Sequence, residues 1–200
     1  NPMSKPIVKN ILNAGSNISH RFIKDQSELK EVVSVLKNMG YKIVLTQGVY
    51  DLIHEGHAAY LEAARSHGDI LIVGLDSDEL TRKRKGPNRP IVPEGERLKM
   101  LSHLRHVDIV TIKEVNQGIV DLIRLINPDV LVFSKSTKDI DAGMIKEYKD
   151  FCGKILVLPP QSATTTTARI RNLAIEGAEE LAKEVHDLTD NFLNKLRKAH

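Results

Sequence analysis

The segment from residue 42 to residue 69 constrains the fold most strongly, because a strand, a turn and a helix follow one another within it. A short apolar run, KIVLT over residues 42–46, predicts a buried strand, and Gln47-Gly48 interrupts that run. Beyond the sequence GVYDLIHEGH, alanines and leucines at helical spacing predict a packed helix that ends at Gly68. The segment is therefore predicted to be the βα unit of an α/β protein.

Two histidines lie at the entrance of this predicted helix. His54 and His57 are three positions apart, so they share one face of its first turn. A helix N-terminus attracts anions through its free N–H groups and its positive dipole end, and Gly56 has no Cβ to obstruct a close approach. A single histidine here is more often a cap or a surface residue. The pair predicts a phosphate site, and its spacing differs from the H-E-x-x-H of zinc-binding helices, so we expect no metal centre.

Further apolar runs alternate with helical patterns along the rest of the chain. This alternation predicts an α/β fold, a Rossmann-like, doubly wound, five-stranded parallel sheet with its ligand crevice at the carboxyl ends of the strands. We expect an N-terminal arm over residues 1–26, flexible or in an oligomer contact, a domain over 27–173 and a C-terminal helical extension over 174–200. The further strands are predicted at 69–75, 107–112, 129–133 and 154–158, and the helices at 27–39 with Ser27 as N-cap, 93–104, 117–126, 162–170 and 178–198.

Composition narrows the possible partners and compartments. The net charge is +3, the pI is about 8.9 and the aromatic content is 4%, which suits phosphate-bearing ligands but does not favour nucleic-acid binding. One cysteine, Cys152, excludes an intrachain disulfide and favours a reduced, cytoplasmic setting. No apolar run is long enough to span a bilayer, and residues 1–26 lack the apolar core of a signal peptide.

The pattern G-x-[YF]-D-x-x-H-x-G-H, followed by a helix that Gly68-Asp69 closes, resembles the signature of the cytidylyltransferase-like nucleotidyltransferases. That superfamily includes enzymes acting on glycerol phosphate, ethanolamine phosphate and heptose phosphate. The resemblance implies that His54 and His57 are catalytic. It also implies a nucleotide-binding segment that comprises Gln47, Gly48, Val49, Tyr50, Asp51 and Gly56.

A basic stretch, TRKRKGPNRPIVP over residues 81–93, follows the second predicted strand. Its proline and glycine content predicts a loop, and its cations would neutralise charge on a leaving pyrophosphate. The K-G-x-x-R-P portion resembles the loop of heptose-phosphate adenylyltransferases, which favours Lys85 as a catalytic residue and Arg89 as a nucleotide ligand. Which cation of residues 82–89 reaches the phosphates stays open.

Two more residues near this stretch are candidate nucleotide ligands. Arg97 lies in a P-x-x-x-R sequence similar to a helix position that family members use near the nucleotide. Asp76 ends the second strand and is predicted to orient ribose or Mg²⁺. Asp78 shares that location, and helix capping is the favoured function for it.

The acceptor-binding segment departs from the family pattern. Residues 134–141, SKSTKDID, lack the paired glycines of the K-G-G-D-Y-like element of heptose-phosphate adenylyltransferases. Lys135 and Asp139, or Asp141, are the predicted acceptor ligands. Further along, Thr165 and Thr166 in SATTTT match a family element that lends hydroxyl and N–H groups to nucleotide phosphates, although such residues are usually caps.

The resemblance predicts nucleotidyl transfer from a nucleoside triphosphate, with its Mg²⁺, to a phosphorylated sugar or polyol, in a homo-oligomer. It is strongest to heptose 1-phosphate adenylyltransferases. The alternatives are a cytidylyltransferase for glycerol phosphate or another polyol phosphate, and a nucleotide-binding regulatory protein without catalysis. The apolar stripe of the C-terminal extension, from Leu181 to Leu196, is predicted to dock on the core or on a second subunit.

Overall fold

The computed structural model describes residues 4–13, 18–135, 142–161 and 166–198. Five parallel strands form one sheet in the order β3-β2-β1-β4-β5. This arrangement confirms the predicted Rossmann-like fold. The strands are β1 (Ile43–Gly48), β2 (Ile70–Asp76), β3 (Ile109–Lys113), β4 (Val130–Ser134) and β5 (Lys154–Leu158).

Helices cover both faces of the sheet, and each face has its own apolar core. Leu36 and Ile123 belong to the core on one face, whereas Leu61 and Leu101 belong to the core on the other. The helices are α1 (Ser4–Ile11), α2 (Ile18–Arg21), α3 (Gln26–Asn38), α4 (Glu55–Arg65), α5 (Asp78–Lys85), α6 (Glu94–His103), α7 (Ile119–Ile126), α8 (Ala142–Tyr148) and α9 (Thr166–Lys198). Among the described residues, no helix is both long and apolar enough to cross a membrane.

The N-terminal region packs against the sheet domain. Val8 and Ile11 of α1 are buried in the same core as α3, and Phe22 forms a parallel bridge with Val110. Compactness divides the chain into residues 1–163 and 164–200, and the described part of residues 1–26 belongs to the first of these units. The N-cap of α3 is Asp25, two residues earlier than the predicted Ser27, because the Asp25 carboxylate accepts the Glu28 N–H at 2.8 Å.

The basic stretch after β2 begins as a helix, which corrects the predicted loop. Ser77 is the N-cap of α5 and accepts the Leu80 N–H at 3.1 Å, so Asp78 does not cap this helix. The acidic first turn and the basic last turn of α5 both complement its dipole. The loop proper therefore starts only at Gly86.

The order in which strands are added to the sheet reverses at its centre. β1 pairs with β2 on one side and with β4 on the other, so the crossover connections leave it in opposite senses. In open parallel sheets this reversal opens a ligand crevice at the carboxyl ends of the strands. The carboxyl end of β1 continues directly into the segment that carries His54 and His57.

Candidate active site

His54 and His57 form a reciprocal cap at the start of α4. His54 is the N-cap, and its Nδ1 accepts the Gly56 N–H at 3.1 Å. His57 Nδ1 in turn accepts the His54 N–H at 3.3 Å, and the two ring centroids are 4.2 Å apart. The capping function and the predicted ligand-binding function therefore fall on the same two side chains. The Gly56 amide is engaged by this cap, so the imidazoles present the donors at this helix end.

The cap fixes the proton positions of both rings. An imidazole nitrogen that accepts an N–H carries no proton, so each neutral ring holds its proton on Nε2. Burial first, and then the charges of His54 and Lys85, lower the pKa of His57 to about 4. The His57 ring is consequently neutral at physiological pH, and its Nε2–H is a donor suited to a phosphate oxygen.

The loop between β1 and α4 is held in an uncommon backbone conformation. Tyr50 and Leu52 have φ values of 51° and 48°, in the left-handed region that L-residues rarely adopt. The buried Tyr50 ring lies 5.7 Å from the His57 ring, and Thr46 Oγ1 is 2.8 Å from the Tyr60 hydroxyl. The Tyr60 hydroxyl donates to the Val132 carbonyl, which connects α4 to β4 beneath the site.

Asp51 anchors the segment that follows α5. Its buried carboxylate accepts the Ile91 and Val92 N–H groups at about 3.0 Å and the Arg89 Nη1 at 2.8 Å. Burial alone would raise the pKa of Asp51, but these donors outweigh it and hold the pKa below its usual value. Asp51 therefore fixes the K-G-x-x-R-P segment beside the histidines, a function that its place in the motif did not reveal.

Lys85, the last residue of α5, lies in this cluster of cations. Its charge influences His57, and its pKa is lowered first by desolvation and then by the charges of Arg84 and Arg89. The charge of Lys85 therefore acts on one of the two imidazoles at the start of α4. A concentration of positive charge next to the imidazole donors of His54 and His57 is suited to a polyphosphate.

Asp76 is fully buried beneath these cations. Its Oδ2 accepts Arg84 Nη1 at 2.6 Å, and the buried Lys113 Nζ lies 3.5 Å from its Oδ1. These ion pairs favour a function within the protein over the predicted contact to ribose or Mg²⁺. Lys113 was not identified from the sequence, although it ends β3 directly opposite Asp76 in the strand register.

Arg97 is also buried, with 1% of its surface exposed. Its guanidinium donates to the Val49, Asp76 and Val92 carbonyls at 2.6–3.0 Å and to Asp78 Oδ1 at 2.7 Å. It therefore joins the β1–α4 loop, the end of β2 and α6. This geometry favours a positioning function for Arg97 over the predicted contact to nucleotide.

The remaining predicted residues are only partly described. The Lys135 N–H donates to the Leu158 carbonyl at 2.8 Å and the residue is exposed just beyond β4. Asp139 and Thr165 lie outside the described residues, and for Thr166 the structure describes the backbone alone. Within the part of the chain that is described, no three His, Cys, Asp or Glu side chains form a metal-binding group, so a resident metal has no evident ligand set there.

A family comparison decides the assignment that this geometry suggests. Residues 45–172 match the profile of the cytidylyltransferase-like family, which is more than half of the chain. The chain belongs to the cytidylyltransferase-like family. This result confirms the superfamily predicted from the H-x-G-H motif and supports the predicted enzyme class, a nucleotidyltransferase.

Curated relatives carry the name bifunctional protein HldE. The chain is 38% identical over 151 residues to HldE of Desulfatibacillum aliphaticivorans, covering 76% of this chain and 31% of that protein. It is 45% identical over 104 residues to HldE of Helicobacter pylori strain G27, covering 52% of this chain and 22% of that protein. The chain thus spans at most about a third of the length of these relatives.

Two solved structures are similar in fold. A lipopolysaccharide core biosynthesis protein from Thermoplasma volcanium GSS1 superimposes with a TM-score of 0.55 at 26% identity, covering 60% of this chain and 98% of that protein. Pantoate-beta-alanine ligase from Francisella tularensis superimposes with a TM-score of 0.55 at 16% identity, covering 76% and 72% of the two chains. The second likeness shows a shared fold alone.

Proposed function

We propose that this chain transfers a nucleoside monophosphate from a nucleoside triphosphate to a sugar phosphate and releases pyrophosphate. The observation that carries the proposal is the reciprocal cap of His54 and His57, which presents Nε2 donors beside Lys85 and the segment anchored by Asp51. Membership of the cytidylyltransferase-like family supports the same reaction class.

In the proposed reaction, an oxygen of the acceptor phosphate attacks the α-phosphorus in line, and the bond from that phosphorus to the oxygen bridging it to the β-phosphorus breaks. The attacking oxygen is already anionic, so no protein base is required, and positioning with charge stabilisation is sufficient. The Nε2–H groups of His54 and His57 would donate to the phosphates more strongly as charge collects on the bridging oxygen. Lys85 would stabilise the departing pyrophosphate.

A magnesium ion carried by the triphosphate would supply further neutralisation of the leaving group. The residues of this chain suit that arrangement, because the Asp76 carboxylate is paired with Arg84 and Lys113 and the described site is cationic. We therefore treat Mg²⁺ as part of the substrate. A cytoplasmic setting and a homo-oligomeric state belong to the same proposal.

Heptose 1-phosphate with ATP is the proposed substrate pair. The K-G-x-x-R-P segment supports it, as do the HldE relatives and the similarity to a lipopolysaccharide core biosynthesis protein. The relatives are called bifunctional, and this chain matches less than a third of each, so the proposal concerns one of their two activities. Cytidylyl transfer to glycerol phosphate or another polyol phosphate is the second candidate, supported by the family profile.

A matrix of substrates tests the proposal. The four nucleoside triphosphates would each be combined with heptose 1-phosphate, glycerol 3-phosphate and other sugar phosphates, and pyrophosphate release would be measured. We expect the highest kcat/KM for ATP with heptose 1-phosphate. A preference for CTP with a polyol phosphate would select the second candidate, and nucleotide binding without pyrophosphate release from any acceptor would indicate a regulatory protein.

A further inference from the structure

Helix α9 carries an apolar stripe that faces solvent in the described part of the chain. The helix runs from Thr166 to Lys198, 33 residues or about 50 Å at 1.5 Å per residue. The exposed fractions of Leu181, Val185 and Leu188 are 61%, 56% and 74%. Exposed leucines at regular helical spacing are unusual on a protein surface and indicate a surface that packs against another apolar surface.

The width of the stripe identifies the kind of surface that would cover it. Ala178, Leu181, Val185 and Leu188 follow one another at intervals of three, four and three residues, which is the a/d pattern of a coiled coil. Between Ala178 and Leu188 the positions beside this seam are small or polar, as at Ala182. A helix packed on a sheet core needs a broader apolar face, so this narrow seam favours another helix as its partner.

Charge along α9 favours a second copy of the same helix in the opposite direction. The stretch 176–190 holds six carboxylates and one lysine, whereas the stretch 195–198 holds three cations. In a parallel pair, acidic stretches would lie beside acidic stretches and basic ends beside basic ends. In an antiparallel pair that joins Val185 to Leu188 of the second copy, the basic end of each helix lies beside Glu176 and Glu179.

We propose that α9 pairs with α9 of a second copy as an antiparallel coiled coil, so that the chain is a dimer through its C-terminal extension. This proposal does not depend on the proposed enzymatic reaction. The sequence predicted that the apolar stripe docks either on the core or on a second subunit, and this proposal selects the second subunit. It also places the interface outside the residues 45–172 that match the family profile, apart from the first turns of the helix.

Sedimentation of the full chain tests the pairing. We expect a species of twice the chain mass of 22.4 kDa, and we expect the double variant Leu181→Glu, Leu188→Glu to sediment as a monomer with unchanged helical content. Leu173→Glu is the matched control, because Leu173 is 66% exposed but lies off the seam, and it should remain a dimer. A monomeric wild-type chain, which is the result expected if the stripe covers its own core, would overturn the proposal.

Cysteine cross-linking tests the direction of the two helices in a Cys152→Ala background. In the antiparallel pair, Ala178 faces position 195 of the second copy and lies about 25 Å along the axis from the other Ala178. Because a disulfide requires Cα atoms within about 7 Å, Ala178→Cys alone should not cross-link. A mixture of Ala178→Cys and Lys195→Cys chains should form a heterodimeric disulfide. Cross-linking of Ala178→Cys with itself would show a parallel pair and refute the proposed direction.

Discussion

His57 Nδ1 accepts the backbone N–H of His54 at 3.3 Å, so the side chain that would hold a phosphate also closes the first turn of α4. These two functions are separable because the cap uses Nδ1 of the imidazole, whereas phosphate binding would use Nε2–H. In asparagine the amide oxygen lies near the Nδ1 position, and in glutamine the amide nitrogen lies near the Nε2 position. Substitutions at His57 can therefore remove either function alone.

We expect His57→Asn to retain the cap and lose the donor, which should lower kcat about 100-fold to 1,000-fold with little change in stability. His57→Gln should retain much of the activity but lose about 1 kcal/mol of unfolding free energy, because the His54 N–H loses its acceptor. Pyrophosphate release and urea denaturation measure the two effects. Equal activity in the wild type and His57→Asn would remove His57 from the mechanism.

Stability should depend on pH through the same ring. The pKa of His57 is about 4 in the folded protein against 6.5 for an ordinary histidine, so the unfolded chain binds more protons between these two values. Unfolding free energy should therefore fall as the pH is lowered from 6.5 toward 4, by about 2 kcal/mol. Urea titrations at several pH values, compared with His57→Asn, isolate this contribution. An unchanged slope in the variant would assign the pH dependence to other groups.

Asp51 and Arg89 are expected to act as a pair that holds the segment after α5 in place. Asp51→Asn removes the negative charge to which three donors bond. We expect it to lower the unfolding free energy by about 3 kcal/mol and to raise the KM for the triphosphate. Trypsin should then cleave more rapidly after Lys85, because the bond after Arg89 precedes Pro90 and resists trypsin. Asp69→Asn is the control, because Asp69 also accepts a backbone N–H, from Lys42, but directly precedes β2, at the amino ends of the strands and away from the site. An equal rise in KM for both variants would refute the anchoring function.

The fold was predictable because its signals are local. Alternating strand and helix patterns predicted each strand of the described residues, and β5 was predicted with its observed bounds at residues 154–158. The helix α5 was missed because its positive charges and the following Gly86 resemble a loop. Only the fold shows that Ser77 and Glu94 cap its first turn.

The site was predictable only as a set of residues near a phosphate. The motif located His54 and His57, but their reciprocal cap and the resulting Nε2–H donors depend on side-chain geometry. The connections of Asp51 to Val92 and of Asp76 to Lys113 join residues far apart in sequence, and no periodic pattern reports them. The sequence therefore identified the chemistry better than it identified the supporting contacts.

Arg97 provides a test of positioning against ligand binding. Arg97→Lys keeps the charge but cannot reach the Val49, Asp76 and Val92 carbonyls together, so we expect a loss of at least ~3 kcal/mol of unfolding free energy. A direct nucleotide ligand would instead show a raised KM with stability retained. Denaturation and steady-state kinetics on the same preparation distinguish these results. A raised KM with unchanged stability would support the nucleotide contact that the sequence predicted for Arg97.

Gln47 has an amide whose two polar atoms are buried without a hydrogen-bond partner among the described residues. Its side chain lies beside Gly74 of β2, where an added Cβ would meet Gln47 Cγ at 3.1 Å. A buried amide without partners destabilises the fold, so Gln47→Met, which conserves length and removes the polar atoms, should raise the unfolding free energy by about 1 kcal/mol.

The matched control for this substitution is Gln117→Met, because Gln117 Oε1 accepts the Glu114 N–H at 3.0 Å. That variant should lose stability where Gln47→Met gains it. If Gln47 binds the nucleotide as the sequence motif implies, the stabilised variant should also show a raised KM for the triphosphate, because Met cannot replace the hydrogen bonds of the amide to the substrate. A loss of stability in Gln47→Met equal to that of the control would contradict this explanation of the unpaired amide.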